Sequence, residues 1–279
     1  MPDSNSLALS TWVDWDTSLS NRPQIICGLE GGLSHRSFLA SGYTNDGQEL
    51  YFVLRHYNQA SSNLASPAEV ELRVIQLAGS LAPRVVFRNN DVLITEYVDL
   101  PLWQPPEFIS RIGASMRLLH SIACPADLPQ LDLQQHCESY RGRLGDLGEH
   151  QRLYDSALQH LLAARPKYPE AVLCHNDPNP GNILIDADDF CLIDWEYACV
   201  NSPWFDLASV AEYGNLNRQQ TALLSHGYCE GVDADRCLRA IETFRPMVRL
   251  VEWLWLLLQA SDQAPKSQRR LQQLLDEKN

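Results

Sequence analysis

The segment from His175 to Asp194 constrains the fold of this chain more than any other stretch of its sequence. It contains PNPG at residues 178–181, and two prolines with a glycine exclude a regular helix there. The apolar runs ILI and FCLI follow, separated by a turn at residues 186–189. This order predicts a loop, a strand, a turn and a second strand, and it places polar side chains of the loop near Asp194.

The polar residues of this segment are the types that phosphoryl transfer requires. That reaction uses a carboxylate to orient and deprotonate the attacking hydroxyl, and oxygen ligands that hold magnesium on the nucleotide phosphates. Asp177, Asn182 and Asp194 supply such groups in the pattern H-x-D-x-x-x-x-N, followed by an apolar run and I-D. The alternative interpretation is a surface hairpin in which Asp and Asn only form turns.

This pattern, with the sequence I-D-W-E after the second strand, resembles the catalytic loop and metal-binding motif that protein kinases share with the aminoglycoside phosphotransferase and choline kinase superfamily. Within that superfamily, the chain resembles the bacterial choline kinase and thiamine kinase-like proteins. The resemblance implies an α+β, two-lobed protein-kinase-like fold, with a small antiparallel β-sheet in the N-lobe and a larger, mainly helical C-lobe. It also implies ATP and Mg²⁺ as cofactors, Asp177 as the catalytic base, and Asn182 and Asp194 as metal ligands.

The pattern of apolar residues places the lobe boundary near residue 98, which gives an N-lobe of residues 1–98 and a C-lobe of residues 99–279. The runs IICGL, RSFLA and ELYFVLR, with a turn at residues 45–47, predict three antiparallel strands. The segment PAEVELRVIQLA predicts a helix at residues 67–78, and PRVVFRNNDVLITEYVDL predicts two further strands. Helical patterns predominate in the rest of the chain.

Arg55 ends a predicted strand, and Glu69 lies at the start of the predicted helix. A kinase needs a cationic side chain that holds phosphates and a helix carboxylate that positions it. Choline kinases resemble this chain in using arginine for the cation, and a guanidinium can contact a phosphate and a carboxylate together. The spacing favours Glu69 as the partner, with Glu71 as the alternative. The alternative interpretation is that Arg55 and Glu69 only form a salt bridge on the surface, without a role in catalysis.

The glycine-bearing segment at residues 31–37 lies between two predicted strands, where its backbone amides could cover phosphates, although it does not match G-x-G-x-x-G. By resemblance, the segment Glu96–Val98 is the hinge whose backbone meets adenine. The candidate nucleotide-binding residues are Ser34, Arg36, Arg55, Glu69, Glu96 and Val98.

The segment after Asp194 continues the family pattern, in which His175 and Asp206 support the catalytic loop. Glu212 occupies the position of the carboxylate that lies near the quaternary ammonium in choline kinases. The candidate substrate contacts implied by the resemblance are Asp177, Glu196, Glu212 and Trp255.

The sequence leaves the acceptor alcohol open. Trp253 and Trp255 could form an aromatic site for trimethylammonium, because aromatic rings attract cations, or they could fill the core. Choline kinases commonly carry another tryptophan three residues before the position of Trp255, where this chain has Glu252, and this difference argues against choline itself. Thiamine kinase shares the segment IDWEYA and is the nearest competitor.

Composition narrows the class of partner. The formal net charge of -13 argues against nucleic-acid binding, which relies on a basic surface. The eight cysteines form no C-x-x-C pair and are interpreted as small buried thiols, and the N-terminal sequence does not resemble a signal peptide. We therefore expect a cytoplasmic protein without disulfides. The apolar segment at residues 247–260 carries Arg249 and Glu252 and is too short to cross a membrane.

The sequence thus predicts an ATP-dependent phosphotransferase that acts on the hydroxyl of a small cationic alcohol, either choline- or ethanolamine-like or thiamine. Two alternatives remain, an aminoglycoside or sugar kinase and a catalytically silent nucleotide-binding regulatory protein on the same fold. A protein-serine kinase is disfavoured because no A-P-E segment follows Asp194. The sequence does not determine the oligomeric state.

Overall fold

The computed structural model describes most of the chain. The described residues are 4–29, 36–57, 68–229 and 233–277. The strands among them are β1 (Gln24–Leu29), β2 (Arg36–Tyr43), β3 (Glu49–His56), β4 (Val85–Arg88), β5 (Val92–Glu96), β6 (Val172–Cys174), β7 (Ile183–Ile185), β8 (Phe190–Leu192) and β9 (Cys199–Asn201). The helices are α1 (Ser4–Ser10), α2 (Ala68–Ala78), α3 (Ile109–His120), α4 (Leu133–Leu144), α5 (Gln151–Ala164), α6 (Pro203–Tyr213), α7 (Arg218–Cys229), α8 (Ala234–Leu258) and α9 (Ala264–Asp276).

The chain forms two compact units. The first consists of Met1–Trp103 and Gly181–Ala198, and the second of Gln104–Pro180 and Cys199–Asn279. The hairpin of β7 and β8 therefore belongs to the first unit, together with the sheet. The lobe boundary near residue 98 stays a prediction.

The first unit is built on a five-stranded antiparallel sheet with the strand order β1-β2-β3-β5-β4. One face of the sheet carries fully buried side chains, Phe52 and Leu54 of β3 and Ile94 of β5. Their alternation along the strands is that of a sheet with one buried face. Trp15 packs edge-on against Phe52, with the ring centroids 5.2 Å apart. The predicted strands and the predicted helix α2 are confirmed.

The second unit is mainly helical. Helices α3 and α7 approach each other closely at two glycines, since a Cβ on Gly227 would overlap the carbonyl oxygen of Ser110, and one on Gly113 would overlap that of Leu224. The long helix α8 packs against α6 and α9. Strands β6 and β9 of this unit form a short antiparallel pair, with Cys174 opposite Cys199.

Five of the eight free cysteines are buried, as the sequence predicts, but Cys27 is exposed on the edge strand β1. Burial accounts for the raised pKa of several of these thiols, and that of Cys191 reaches about 12. Within the part of the chain that the structure describes, we find no helix of sufficient length and apolarity to cross a membrane.

Candidate active site

The hairpin of β7 and β8 positions two of the predicted site residues. Asn182 directly precedes β7 and Asp194 follows β8, and the N–H of Ile193 donates to the carbonyl oxygen of Asn182 at 3.0 Å. The two side chains therefore flank the same end of the hairpin. Asp194 has a positive φ of 63°, in the left-handed region that aspartate and asparagine adopt more readily than most other non-glycine residues.

These two residues fit a magnesium ion. Amide and carboxylate oxygens are the ligands that this hard cation takes. Asp194 is 34% exposed and uses Oδ1 for an ion pair, whereas its Oδ2 has no hydrogen-bond partner among the described residues. Asn182 is nearly buried beside it. The arrangement leaves a carboxylate oxygen of Asp194 accessible to a bound ion.

Arg55 is held between two carboxylates of the first unit. Its Nη1 donates to Oδ1 of Asp194 at 2.6 Å, and its Nη2 donates to Oε1 of Glu71. Burial alone would lower the pKa of Arg55, but the charges of Glu71 and Asp194 outweigh burial and raise it. The guanidinium therefore keeps a permanent positive charge next to the proposed metal ligand.

The prediction that Glu69 pairs with Arg55 is wrong. The side chain of Glu69 is 78% exposed and lies 3.5 Å from Arg88, whereas that of Glu71 is 3% exposed. The reason is the rotation of helix α2: Glu71 shares the buried face with Val74, three positions on, and with Ile75 and Ala78 beyond it. The spacing of Glu71 from these apolar residues is visible in the sequence.

The pairing yields a stability prediction. We expect Glu71→Ala to lower the free energy of unfolding by about 3–5 kcal/mol, because it leaves the buried Arg55 with one carboxylate fewer. The matched change Glu69→Ala removes an exposed partner and should cost less than about 1 kcal/mol. Urea denaturation of both variants measures the difference. Equal losses would contradict the assignment of Glu71 as the partner.

The loop that carries Asp177 is braced by a buried carboxylate of the second unit. Asp206, in the first turn of α6, accepts hydrogen bonds from the backbone N–H of His175 at 2.8 Å and of Asn176 at 2.7 Å. His175 is fully buried, and its Nδ1 accepts the N–H of Asp177 at 3.3 Å. This is the geometry expected of the support residues His175 and Asp206.

Side-chain hydrogen bonds fix the same loop further. Asn176 has a φ of 68°, donates to the sulfur of Cys199 at 3.2 Å and accepts from Asn201 at 2.7 Å. Asp177 itself is half-buried, and its Oδ2 accepts from the side chain of Asn179 at 3.1 Å. The carboxylate of Asp177 thus lies on a loop that several hydrogen bonds hold in place.

A histidine that the sequence analysis missed extends this network. His120, the last residue of α3, lies with Nε2 3.2 Å from Oδ2 of Asp206 and with Nδ1 3.0 Å from the hydroxyl of Tyr228. A ring nitrogen of His120, a carboxylate oxygen of Asp206 and the sulfur of Cys174 lie within 4.8 Å of one another, close enough to be considered as a metal site. Both oxygens of Asp206 already accept backbone N–H groups, and burial raises the pKa of Cys174. The cluster therefore supports the loop rather than holding a metal.

The predicted hinge lines a cavity of about 750 Å³ in the first unit, together with Arg84, which directly precedes β4, and Asp189 of the β7–β8 turn. The side chain of Glu96 accepts from Arg84 at 2.7 Å. The backbone N–H of Val98 has no partner among the described residues, so it is available to an acceptor such as an adenine nitrogen. The contact of Glu96 and Val98 with adenine stays a prediction.

The remaining nucleotide-binding candidates are less well placed. Ser34 and most of the segment at residues 31–37 lie outside the described residues. Arg36 is exposed at the start of β2, with its guanidinium carbon 5.7 Å from the ring centroid of Phe38. The structure places Arg36 on the surface of the sheet, and its contact with phosphate stays a prediction.

Glu212 does not fit the cation-binding role that the sequence analysis gave it. It is buried and accepts hydrogen bonds from three arginines, Arg245 at 2.7 Å, Arg249 at 2.9 Å and Arg270 at 2.7 Å. Burial would raise the pKa of Glu212, but these guanidinium groups lower it to about 2. A carboxylate that already binds three cations has no free charge for a substrate. It ties α6 to α8 and α9 instead.

This cluster makes acid stability a test. The pKa of Glu212 falls from its ordinary 4.5 to about 2, so its contribution is complete above pH 4.5 and is lost as the pH falls through 2. Relative to Glu212→Gln, the wild type should lose about 3 kcal/mol of unfolding free energy between those limits. Urea denaturation at a series of pH values measures the loss, with the exposed Glu149→Gln as control. An unchanged difference between wild type and Glu212→Gln across this range would contradict it.

The other substrate candidates differ in burial. Glu196 is buried in the first unit. Trp253 is fully buried in the core of α8, whereas Trp255 is half-buried. Their contacts with substrate stay predictions.

The arginines of α8 were missed because an apolar helix with Arg245 and Arg249 four residues apart gives no sign of the partner they share on α6.

Comparison with known proteins identifies the family. The family model described as "Phosphotransferase enzyme family" matches residues 25–241, so the chain belongs to that family. Among curated relatives, LicA of Haemophilus influenzae is 41% identical over 56 residues, which span 20% of this chain and only 21% of LicA. Thiamine kinase of Salmonella paratyphi C is 26% identical over 251 residues, 82% of this chain and 79% of that protein. The family predicted from the motif is confirmed.

Solved structures confirm the kinase-like fold. A choline/ethanolamine kinase family protein from Mesorhizobium loti has a TM-score of 0.73 at 20% identity, covering 97% of this chain and 94% of that one. Choline kinase from Cryptosporidium parvum has a TM-score of 0.78 at 16% identity, covering 99% and 95%. LicA in complex with AMP has a TM-score of 0.70 at 15% identity, covering 94% and 95%.

Proposed function

We propose that this protein transfers a phosphoryl group from ATP, with Mg²⁺, to the hydroxyl of a small cationic alcohol. Family membership and the thiamine kinase and choline kinase relatives support the reaction class. The complex of LicA with AMP supports the use of an adenine nucleotide. The observation that carries the proposal is Asp194, held at the end of the β7–β8 hairpin beside Asn182 and paired with the buried Arg55.

Each side chain has a separate task in this proposal. Asp177 orients the acceptor hydroxyl and takes its proton as the oxygen attacks the γ-phosphorus. Asn182 and Asp194 offer oxygen ligands to magnesium, and bound magnesium supplies charge neutralisation on the phosphates. Arg55 contributes a fixed positive charge, which stabilises the negative charge that builds up as the phosphoryl group moves. Asp206 and His175 keep the loop of Asp177 in one conformation.

The test is turnover of ATP by the purified protein with Mg²⁺ and a panel of alcohols: choline, ethanolamine, thiamine, an amino sugar and an aminoglycoside. We expect ATP consumption that depends on one of the three small cationic alcohols. Preference for the aminoglycoside or the amino sugar would identify the alternative enzyme class. Saturable ATP binding without turnover of any alcohol would contradict the proposal and would indicate a catalytically silent nucleotide-binding protein.

A further inference from the structure

Tyr57 lies directly after strand β3 and contacts the buried ion pairs of the first unit. Its backbone N–H donates to the carbonyl oxygen of Asp91 at 2.9 Å, which extends the pairing of β3 with β5 by one residue. Side chains two positions apart along an extended backbone point to the same face of a sheet. The side chain of Tyr57 therefore lies next to that of Arg55.

The hydroxyl of Tyr57 holds the carboxylate that pairs with Arg55. It donates to Oε2 of Glu71 at 3.3 Å, while Oε1 of the same carboxylate accepts from Nη2 of Arg55. The side chain of Glu71 is 3% exposed, so little water competes for either oxygen. Each oxygen of Glu71 thus has its own donor, and together the two charge-assisted hydrogen bonds fix how the carboxylate faces the guanidinium.

The ring of Tyr57 contacts Arg55 directly. The guanidinium carbon of Arg55 lies over the ring, 5.6 Å from its centroid, which is within the range of a cation–π interaction. Nε of Arg55 is buried and has no hydrogen-bond partner among the described residues. Within that part of the chain, the direction of the guanidinium is therefore set by the bonds at its two Nη atoms and by the ring of Tyr57.

The direction of this guanidinium matters because Arg55 places a positive charge at the end of the hairpin that carries Asp194, with Nη1 2.6 Å from Oδ1. A fixed charge stabilises a transferring phosphoryl group when it is aimed at the group in advance. A misplacement of about 1 Å can cost about a hundredfold in rate. A residue that keeps Arg55 in place therefore contributes to the reaction without touching the substrate.

We propose that Tyr57 is a positioning residue of the nucleotide site, which holds Glu71 through its hydroxyl and Arg55 through its ring and so keeps the guanidinium aimed at the nucleotide phosphates. This inference rests on the proposed function. It adds a third side chain to the pair of Arg55 and Glu71, one that the sequence analysis did not single out. Tyr57 acts through Arg55 rather than on the substrate itself.

Tyr57→Phe tests the hydroxyl, because it keeps a ring over Arg55 and removes the bond to Glu71. In calorimetry with Mg²⁺, we expect the affinity for ATP to be about three- to tenfold weaker than in the wild type, and the affinity for adenosine, which lacks phosphates, to be unchanged. In steady-state kinetics, KM for Mg-ATP should rise by a similar factor, whereas KM for the acceptor alcohol should stay the same. A fold that is merely less stable would weaken ATP and adenosine binding by one common factor. Such a common factor, or wild-type affinity for both ligands, would overturn the inference.

Tyr51→Phe is the matched control, since Tyr51 lies on the same strand, is 41% exposed, and donates from its hydroxyl to the carboxylate of Glu49 at 2.8 Å. It should bind ATP and adenosine as the wild type does. Equal losses of ATP affinity in Tyr51→Phe and Tyr57→Phe would contradict a specific role for Tyr57.

Tyr57→Leu tests the ring, because it removes the aromatic face under Arg55 as well as the hydroxyl. We expect it to weaken ATP binding at least about twofold beyond Tyr57→Phe, again without a change in adenosine binding. A Tyr57→Leu variant that binds ATP as well as Tyr57→Phe does would overturn the role of the ring.

The outcome is separable from that of the proposed function. If the wild type phosphorylates an alcohol and Tyr57→Phe matches its ATP affinity, the inference fails and phosphotransferase activity stands. If the wild type binds ATP and phosphorylates no alcohol, the proposed function fails, and the titrations with ATP and adenosine still decide whether Tyr57 positions Arg55. If the wild type binds no ATP, both fail.

Discussion

The Asp177→Asn variant is expected to lose turnover by a factor of about 10²–10⁴ and to bind Mg-ATP as the wild type does. The change removes the carboxylate that takes the proton of the acceptor hydroxyl, whereas it keeps the size of the side chain. The amide can still accept from Asn179, which now donates to Asp177 at 3.1 Å. Steady-state kinetics with the best acceptor measures kcat, and calorimetry measures nucleotide affinity.

Asp188→Asn is the control for this variant, because Asp188 is exposed in the turn between β7 and β8 and should tolerate the same substitution. Its kcat should match that of the wild type. A Asp177→Asn variant with undiminished kcat would remove Asp177 from the mechanism, whatever the nucleotide affinity.

The second large effect is expected for Asp194→Asn, which should weaken magnesium-dependent nucleotide binding by at least about a hundredfold. Even residues that only orient a metal ligand affect affinity by about 10–100-fold, so loss of a ligand's charge should cost at least as much. Asparagine tolerates the positive φ at this position, so the backbone at 63° need not change. The amide oxygen can still accept from Arg55. Calorimetric titration with ATP, with and without Mg²⁺, measures the effect.

Asp188→Asn is the control here as well, because Asp188 is exposed in the turn at the other end of the same hairpin. It should bind Mg-ATP normally. If Asp194→Asn keeps wild-type affinity that still depends on magnesium, Asp194 is not a metal ligand, and the assignment of the β7–β8 hairpin as a metal-binding element fails.

These two variants separate two kinds of contribution. Asp177 should affect the rate with little effect on nucleotide binding, because it acts on the hydroxyl of the acceptor. Asp194 should affect binding first, since a nucleotide without its metal ion is poorly held. A shared phenotype would mean that the two carboxylates do not act on different partners.

Local patterns predicted much of the fold because they record the period of each element. The alternation of β3 and the turn at residues 45–47 correctly indicated a hairpin, in which Gly47 adopts a φ of 84°. The apolar runs on either side of residues 186–189 likewise predicted β7 and β8, and Asp186 closes their turn by accepting the N–H groups of residues 188 and 189. Such turns depend on residues close in sequence.

Contacts between distant parts of the chain were harder to predict. The pair of β6 and β9 contains only three residues in each strand, too few for a period to be visible. The bond from His120 to Asp206 joins residues that are far apart in the chain. No local pattern distinguishes such a histidine from one that merely packs in a helix, because its role depends on which helix lies beside it.

The two errors in the candidate site have the same physical origin. Glu69 and Glu71 both follow the start of α2, and a rotation of the helix by two residues decides which one faces Arg55. Glu212 carries the residue type expected of a cation site, but the arginines that neutralise it come from α8 and α9. Residue type was predicted correctly in both cases, whereas the partner depended on tertiary packing.

The most direct test of the central claim is mass spectrometry of the acceptor after incubation with ATP, magnesium and either wild type or Asp177→Asn. We expect that one alcohol of the panel gains a single phosphoryl group on its hydroxyl with the wild type, that chelation of magnesium stops the gain, and that the variant forms far less product. Product formation at the wild-type rate by Asp177→Asn, or ATP binding without phosphorylation of any alcohol, would contradict it.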